Sequence, residues 1–317
     1  MASNIAKKAA KMAAFPNTKV KTRFLILSDT HNAAPQLADG EDPFRYPLPR
    51  VDVLLHAGDL TGAGQKGQHE GQIAWISAAP AELKIVIPGN HDVTLHESYY
   101  REHGTLHCPI QYTEQDLKDI KELYTGSQAQ SSGVVFMEEG IRTFTLRNGA
   151  RFTVYASAWQ PEFFNWAFGY PRGQDRFNAD ANPEHPVPDY GTKYGVDIML
   201  THGPPYGILD TTYKDEAVGC EHLRRAVGRC RPLLHAFGHI HEAWGAIQMK
   251  WNHSLPGSGQ EQDIPVDQQR LMEQRGVYVD ATHMERGEET LFVNASIMDL
   301  QYNPVQGPWI VDLELES

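Results

Sequence analysis

The sequence predicts an α/β fold, with helices and strands layered around a central sheet. Two observations carry this expectation. Short apolar runs recur, each ending in polar or glycine-rich residues: RFLILSD (23–29), VDVLLHAGD (51–59), LKIVIPGN (83–90), RFTVYAS (151–157), VDIMLTHG (196–203) and PLLHAFGH (232–239). Each holds about five aliphatic or β-branched residues, the pattern of strands buried on both faces. Helical patterns lie between some of them: QHEGQIAWISAA (68–79), TEQDLKDIKELY (113–124) and CEHLRRAVGR (220–229). In the second of these, Thr113 and Asp116 have the spacing of a capping pair.

The 317 residues suffice for a substantial buried core. No repeat or low-complexity tract divides the chain. It reads as an N-terminal tail over 1–22 and a single domain over 23–317. Two polar stretches, 169–195 and about 246–288, read as long loops, the second as an insert with an apolar patch around Leu271 and Tyr278. Loops of such length usually carry function or move. The basic, alanine-rich start MASNIAKKAAKMAAFPNTKVKTR lacks the apolar stretch of a signal peptide or anchor. It reads as a frayed or helical tail, with a weak mitochondrial presequence as the alternative.

The formal net charge of −12 argues against a nucleic-acid polymer or an anionic membrane as partner, because both attract positive surfaces. It leaves a small phosphate substrate open, since bound metal ions can reverse the local sign. No apolar run reaches membrane-spanning length, so a soluble protein is expected. Cys108, Cys220 and Cys230 are odd in number and offer no close pair. That points to a reducing compartment, the cytoplasm, rather than a disulfide framework. The sequons at Asn252 and Asn294 do not change this, since the pattern is common by chance.

The chemistry lies in the residues just beyond the strands. After the first comes Asp29 and His31, after the second Asp59, after the third Asn90, His91 and Asp92. His202 comes after the strand at 196–200, and His239 and His241 after the next. In open α/β sheets, sites form beyond the carboxyl ends of strands, so one feature of the fold can gather all these groups. The donors are carboxylates, an amide oxygen and imidazoles, with no thiolate. That set suits two divalent or trivalent transition-metal ions, Mn, Fe or Zn, and disfavours Ca or a closed structural zinc. Two ions sharing a bridging carboxylate would use the whole set, and such a pair, ~3.5–4 Å apart, serves displacement at phosphorus.

The blocks D-x-H, G-D, G-N-H-D, a single His and G-H-x-H, in this order across residues 24–241, resemble the calcineurin-like metallophosphoesterase superfamily. DVLLHAGDLTGAG, KIVIPGNHD, ASAWQPEFFNWAFGYPRG, VDIMLTHGPPYGILD, GCEHLRRAV, LLHAFGHIHEAWG and VNAS look closer still to metallophosphoesterase-domain proteins of animals, related to class III cyclic-nucleotide phosphodiesterases, and their fungal relatives. The resemblance implies a four-layer αββα sandwich with a dinuclear metal site at its edge. It implies that Asp29, His31 and His241 hold one metal, that Asn90, His202 and His239 hold the other, and that Asp59 bridges them. Some animal members carry glycine in place of the first histidine of G-H-x-H. Here His239 is present, which implies an intact centre. The connection from His241 to Asn294 is much longer than in close animal relatives, so an inherited nucleotide preference is not assured.

Roles beyond the ligands rest on chemistry. A hydroxide bridging two cations is a nucleophile at neutral pH, because each cation lowers the pKa of bound water. His91 neighbours a ligand without being needed as one, and can protonate the leaving alkoxide. Asp92 either orients His91 or caps a helix. His56 reads as a packed or supporting histidine, and His96, His103 and His107 as solvated surface groups. The run WQPEFFNWAFGY (159–170) reads as core cover, with base stacking as the alternative. Arg172 is a candidate phosphate contact; Asn294 and Ser296 follow a strand after the long insert and can approach the site, but receive no role. The expected function is metal-dependent hydrolysis of a small-molecule phosphodiester or phosphomonoester, a cyclic nucleotide being the substrate the resemblance implies. The alternatives are a non-phosphate metabolite reaction at the same metals, or a non-catalytic scaffold.

Overall fold

The computed structural model describes residues 18–181, 184–192, 195–255 and 257–317. In chain order the strands are β1 (Lys19–Leu27), β2 (Val53–His56), β3 (Leu83–Val86), β4 (Val134–Phe136), β5 (Gly140–Thr145), β6 (Arg151–Ser157), the short pair β7 (Gln160–Pro161) and β8 (Gly169–Tyr170), β9 (Ile198–Thr201), β10 (Leu234–Phe237), β11 (Gly245–Trp251), β12 (Gly259–Asp263), β13 (Val277–Asp280), β14 (Glu289–Asn294) and β15 (Trp309–Glu316). The helices are α1 (Lys66–Ala78), α2 (Glu97–His103), α3 (Glu114–Thr125), α4 (Ser127–Ser131), α5 (Glu221–Cys230) and α6 (Gln268–Gln274).

The long strands form two sheets. One runs β4-β3-β2-β1-β15-β13, the other β12-β11-β14-β10-β9-β6-β5, and they join at one corner through the pair Glu316↔Arg151. Successive side chains on a strand point to opposite faces, so each sheet offers an inner and an outer apolar surface. Phe24, Ile26, Val53, Leu55 and Ile85 of the first sheet meet Val154, Ile198, Leu200, Leu234 and Val293 of the second in one buried cluster. The outer face of the first sheet, including Leu25, Leu27, Leu54 and Val86, packs on Trp75 and Ile76 of α1 and Ile120 and Tyr124 of α3. The outer face of the second, including Tyr155, Met199, Phe237 and Phe292, packs on Leu223, Ala226 and Val227 of α5. The layers are therefore α, β, β, α. Coverage on both faces is why the central strands read as unbroken apolar runs.

The apolar runs all become strands, and the three helical patterns become α1, α3 and α5. Thr113 and Asp116 form a capping box at the start of α3. The structure corrects the loop reading of 246–288, which carries three strands and a helix. β11 and β12 extend the second sheet, while β13 pairs in parallel with β15 of the first. Leu271, Val277 and Val279 enter the inter-sheet cluster. The segment is thus built into the sandwich, and its Glu261 and Asp263 line a cleft of about 520 Å3 beside Glu242 and Trp244. β1 begins at Lys19, inside the stretch read as tail; residues 1–17, with the presequence alternative, lie outside the described residues.

One feature of the topology sets the site. The carboxyl ends of β1, β2 and β3 meet those of β9, β10 and β14 where the two sheets touch. Ser28 pairs with Ser296 as an isolated parallel bridge, and the Ser28 amide donates to Ala295 O at 2.9 Å. The Gly238 amide donates to His202 O at 2.9 Å.

Candidate metal centre

The seven donors read from the sequence converge at this junction. Asp29, His31 and His241 form one cluster, and Asp59, His202 and His239 a second; His31, Asp59 and His91 make a third that links them. His31 Nε2 lies 3.2 Å from His241 Nε2, and His241 Nε2 lies 3.4 Å from Asp29 Oδ1. On the other side, His202 Nε2 lies 2.8 Å from Asn90 Oδ1 and 3.5 Å from Asp59 Oδ1. Asp59 Oδ2 is 3.6 Å from His31 Nε2, so the one carboxylate faces both clusters. Two ligands each about 2.1 Å from one ion, at right angles, stand about 3 Å apart.

Further contacts fix which ring nitrogen points inward. His202 Nδ1 donates to Ala57 O at 2.9 Å and His241 Nδ1 donates to Asp299 O at 3.1 Å, so in each ring it is Nε2 that faces the other donors. The backbone is bent to aim the groups. Asp29, His31, Asp59 and His239 all have positive φ, from 41° to 71°. Non-glycine residues adopt this region at a cost and most often at functional sites. Glycines make room: a Cβ on Gly238 would collide with Asp29 Oδ2, and one on Gly89 with Asp59 Oδ1.

The electrostatics match a cation site. Burial holds the His31 and His239 imidazoles neutral, lowered to about 3, so their lone pairs are available. Burial opposes ionisation of Asp29 and Asp59, yet the neighbouring histidines, His241 and His202 above all, hold both carboxyls below their ordinary range. Burial also works against the charged form of His202, but Asp59 overrides it and raises this imidazole to about 9. Asp29 Oδ1 and His31 Nδ1 are buried with no hydrogen-bond partner among the described residues. Such atoms call for a bound partner. A carboxylate–imidazole–amide set with an orphaned acidic oxygen fits a pair of metal ions.

Residues 22–243 match the calcineurin-like phosphoesterase family. The chain belongs to that family. It is similar to the human and mouse proteins named metallophosphoesterase domain-containing protein 1, at 32% identity over 297 residues, covering 92% of this chain and 71% of theirs. A Caenorhabditis elegans protein, UPF0046 protein T07D4.2, is 31% identical over 232 residues, covering 70% of this chain and 52% of its own. The purple acid phosphatase PPD1 of yellow lupin superposes over 94% of this chain and 55% of its own, with a TM-score of 0.35 and 12% identity. Family membership makes this chain a metal-dependent phosphoester hydrolase with a dinuclear centre.

Around the centre the structure separates the remaining candidates. His91 Nδ1 donates to Gly62 O at 2.8 Å, and the ring lies edge-on to His31, centroids 4.6 Å apart. Asp92 neither orients that ring nor caps a helix with its side chain. It accepts from the amides of Leu60, Thr61 and Gly89, stapling the Asp59 loop to the Asn90 loop. Burial and the Asp59 charge raise its carboxyl to about 7. His56 accepts from the Gly58 amide through Nδ1 and meets Thr30 Oγ1 through Nε2, beneath the site. His96 is half-buried against Trp159 and Phe168, and His107 stacks on Trp166, so neither is simply solvated. Arg172 turns away, held by Glu221 and the carbonyls of Val218 and Gly219.

The aromatic run divides. Ala167 and Tyr170 are buried, while Phe163 and Phe164 are exposed, Phe163 near His239 with centroids 6.3 Å apart. Sequence reasoning gave no role to two supporting groups, Asn294 and Ser296, and missed a third, Tyr302. Ser296 Oγ donates to Asp29 Oδ2, Asn294 Nδ2 donates to Ile240 O in the G-H-x-H turn, and Tyr302 lies edge-on to His31, centroids 4.7 Å apart. Asn294 and Ser296 close a strand as the ligands do, which marked them as residues near the site but not as hydrogen-bond partners of its loops. Tyr302 sits in a polar loop with no pattern to mark it.

Proposed function

We propose that this protein hydrolyses a small-molecule phosphodiester or phosphomonoester at a dinuclear centre, a cyclic nucleotide being the first substrate to test, and that it works in the cytoplasm. Asp29, His31 and His241 hold one ion, Asn90, His202 and His239 the other, and Asp59 is shared. The observation that carries the reading is the Asp59 carboxylate, with Oδ1 toward His202 and Oδ2 toward His31. Manganese, iron or zinc suits these donors. When bound, the ions supply Lewis acidity and make water a nucleophile near neutral pH.

The chain supplies the rest. His91 has committed Nδ1–H to Gly62, so Nε2 is the atom left to hand a proton to the leaving oxygen. Tyr302 and Phe163 flank the donors on opposite sides and offer apolar walls for the organic part of the substrate. The free, buried cysteines suit a reducing compartment. The experiment is hydrolysis of bis- and mono-nitrophenyl phosphate and of cyclic nucleotides by metal-reconstituted protein, beside His91→Ala. Turnover that needs metal, and falls about 10²-fold or more in His91→Ala with metal content unchanged, is expected. No turnover of any ester with both metals bound would overturn the reading.

A further inference from the structure

The Trp166 indole lies between two imidazoles. Its ring is stacked on His91, with centroids 3.9 Å apart and planes 22° apart, and on its other face on His107, at 3.6 Å and 16°. The backbone beside it is strapped down. Tyr99 Oη donates to the Asn165 carbonyl, which also accepts from His107 Nε2 at 3.0 Å. Glu162 Oε1 accepts from the Asn165 amide at 3.0 Å. Phe164, Asn165 and Phe168 all have positive φ, a costly conformation that these contacts enforce.

Among the described residues the His91 ring has one hydrogen bond, from Nδ1 to Gly62 O, so its other contacts are packing contacts. His31 meets one edge of the ring and the indole covers a face. From this geometry we infer that Trp166 is a positioning residue for His91, with His107 as its backstop. The three rings act as one stack that holds the His91 imidazole beside His31 and Asp59. The inference rests on the catalytic reading of His91 for its effect on rate, though not for its effect on geometry. It gives the aromatic loop a purpose that neither core packing nor base stacking supplies.

The test compares Trp166→Ala, Trp166→Phe and His107→Ala in the full chain, alone and combined with His91→Ala. A misplacement of about an ångström costs up to about 10²-fold in rate, so Trp166→Ala should lower kcat at least about 10-fold with metal content and KM little changed. Trp166→Phe, which keeps a stacking face, should recover most of the loss, and His107→Ala should show a smaller loss. In the His91→Ala background, Trp166→Ala should cost nothing more, because it acts through a ring that is gone. A second readout needs no turnover. Acylation of His91 by diethyl pyrocarbonate, read by peptide mass spectrometry, should quicken severalfold in Trp166→Ala. Unchanged kcat in Trp166→Ala while His91→Ala is inactive would overturn the positioning role alone, as would an equal loss in both backgrounds. Full activity of His91→Ala would overturn the acid role, and unaltered acylation would then still decide the positioning role against us.

Discussion

Ser296 Oγ donates to Asp29 Oδ2 at 2.7 Å, from the carboxyl end of β14 to that of β1. The bond crosses from one sheet to the other at the point where the donors gather. The His239 amide donates to the same oxygen at 2.9 Å, so Oδ2 is held and Oδ1 is left facing His241. Contacts of this kind orient a ligand, and their loss typically costs about 10–100-fold in metal affinity. Ser296→Ala should weaken one of the two metal-binding events by about that factor and spare the other. A competition titration with a chromophoric chelator resolves the two, and unchanged affinities would mean that the His239 amide suffices.

Asp92 should matter for stability more than for chemistry. Its carboxylate serves three backbone amides and the Thr61 hydroxyl, all buried. Each buried donor left unsatisfied costs about 1–3 kcal/mol, so Asp92→Ala should lose at least about 3 kcal/mol in urea unfolding. Native stability together with a large fall in kcat would instead return Asp92 to a catalytic role.

Removing metal should loosen the junction of the sheets. Two buried carboxylates and several imidazoles converge there, and cations bound only by the folded chain stabilise it by mass action, about 4 kcal/mol at a thousandfold excess over Kd. Tm should fall on chelation and return with Mn or Zn, and this shift should vanish in Asp59→Asn. A Tm indifferent to chelation in the native protein would count against a resident ion.

Much of this was legible before the fold, and the reasons are local. Strands covered on both faces carry unbroken apolar runs, and donors placed directly after them point to one sheet edge, which made Asp29, Asp59, His202 and the His239–His241 pair readable. Edge strands carry no such run. β12 is GQEQD, exposed throughout, and β5 has one buried residue, Phe144, so neither differs in pattern from a loop. β12 is thereby hidden within 246–288, which reads as a loop yet contributes to both sheets. Partners distant in sequence were equally hidden: nothing near Trp166 announces that its ring lies on His91.

The 246–288 segment also gives a pH test. Tyr278 of β13 donates to Asp312 Oδ2 at 2.7 Å, and Arg23 binds the same carboxylate through Nε at 2.7 Å and Nη2 at 2.8 Å, with Lys21 at 2.7 Å. Burial would raise the Asp312 carboxyl, but Arg23 and Lys21 hold it well below its ordinary range. A carboxyl depressed in the folded state adds stability above its unfolded pKa of about 3.9 and loses it as pH falls through the folded value. Asp312→Asn should therefore cost about 1–3 kcal/mol at neutral pH, discounted for the partial exposure of both cations. The gap from the native protein should narrow as pH falls below about 4, because the unfolded chain's carboxyl takes up its proton there while the native one is still ionised. Urea unfolding at pH 7 and pH 3 measures both, and a gap independent of pH would show that packing, not charge, holds β13 to β15.

The shared role of Asp59 is the central claim, and a metal titration of turnover tests it most directly. Metal-free protein is titrated with Mn or Zn while hydrolysis of bis-nitrophenyl phosphate and metal content are followed together, for the native chain and for Asp59→Asn. The expected result is a rate that rises until two ions are bound per chain, with Asp59→Asn holding fewer than one and turning over no ester. Full turnover with a single ion bound, or an Asp59→Asn variant as active and as metal-rich as the native protein, would contradict it.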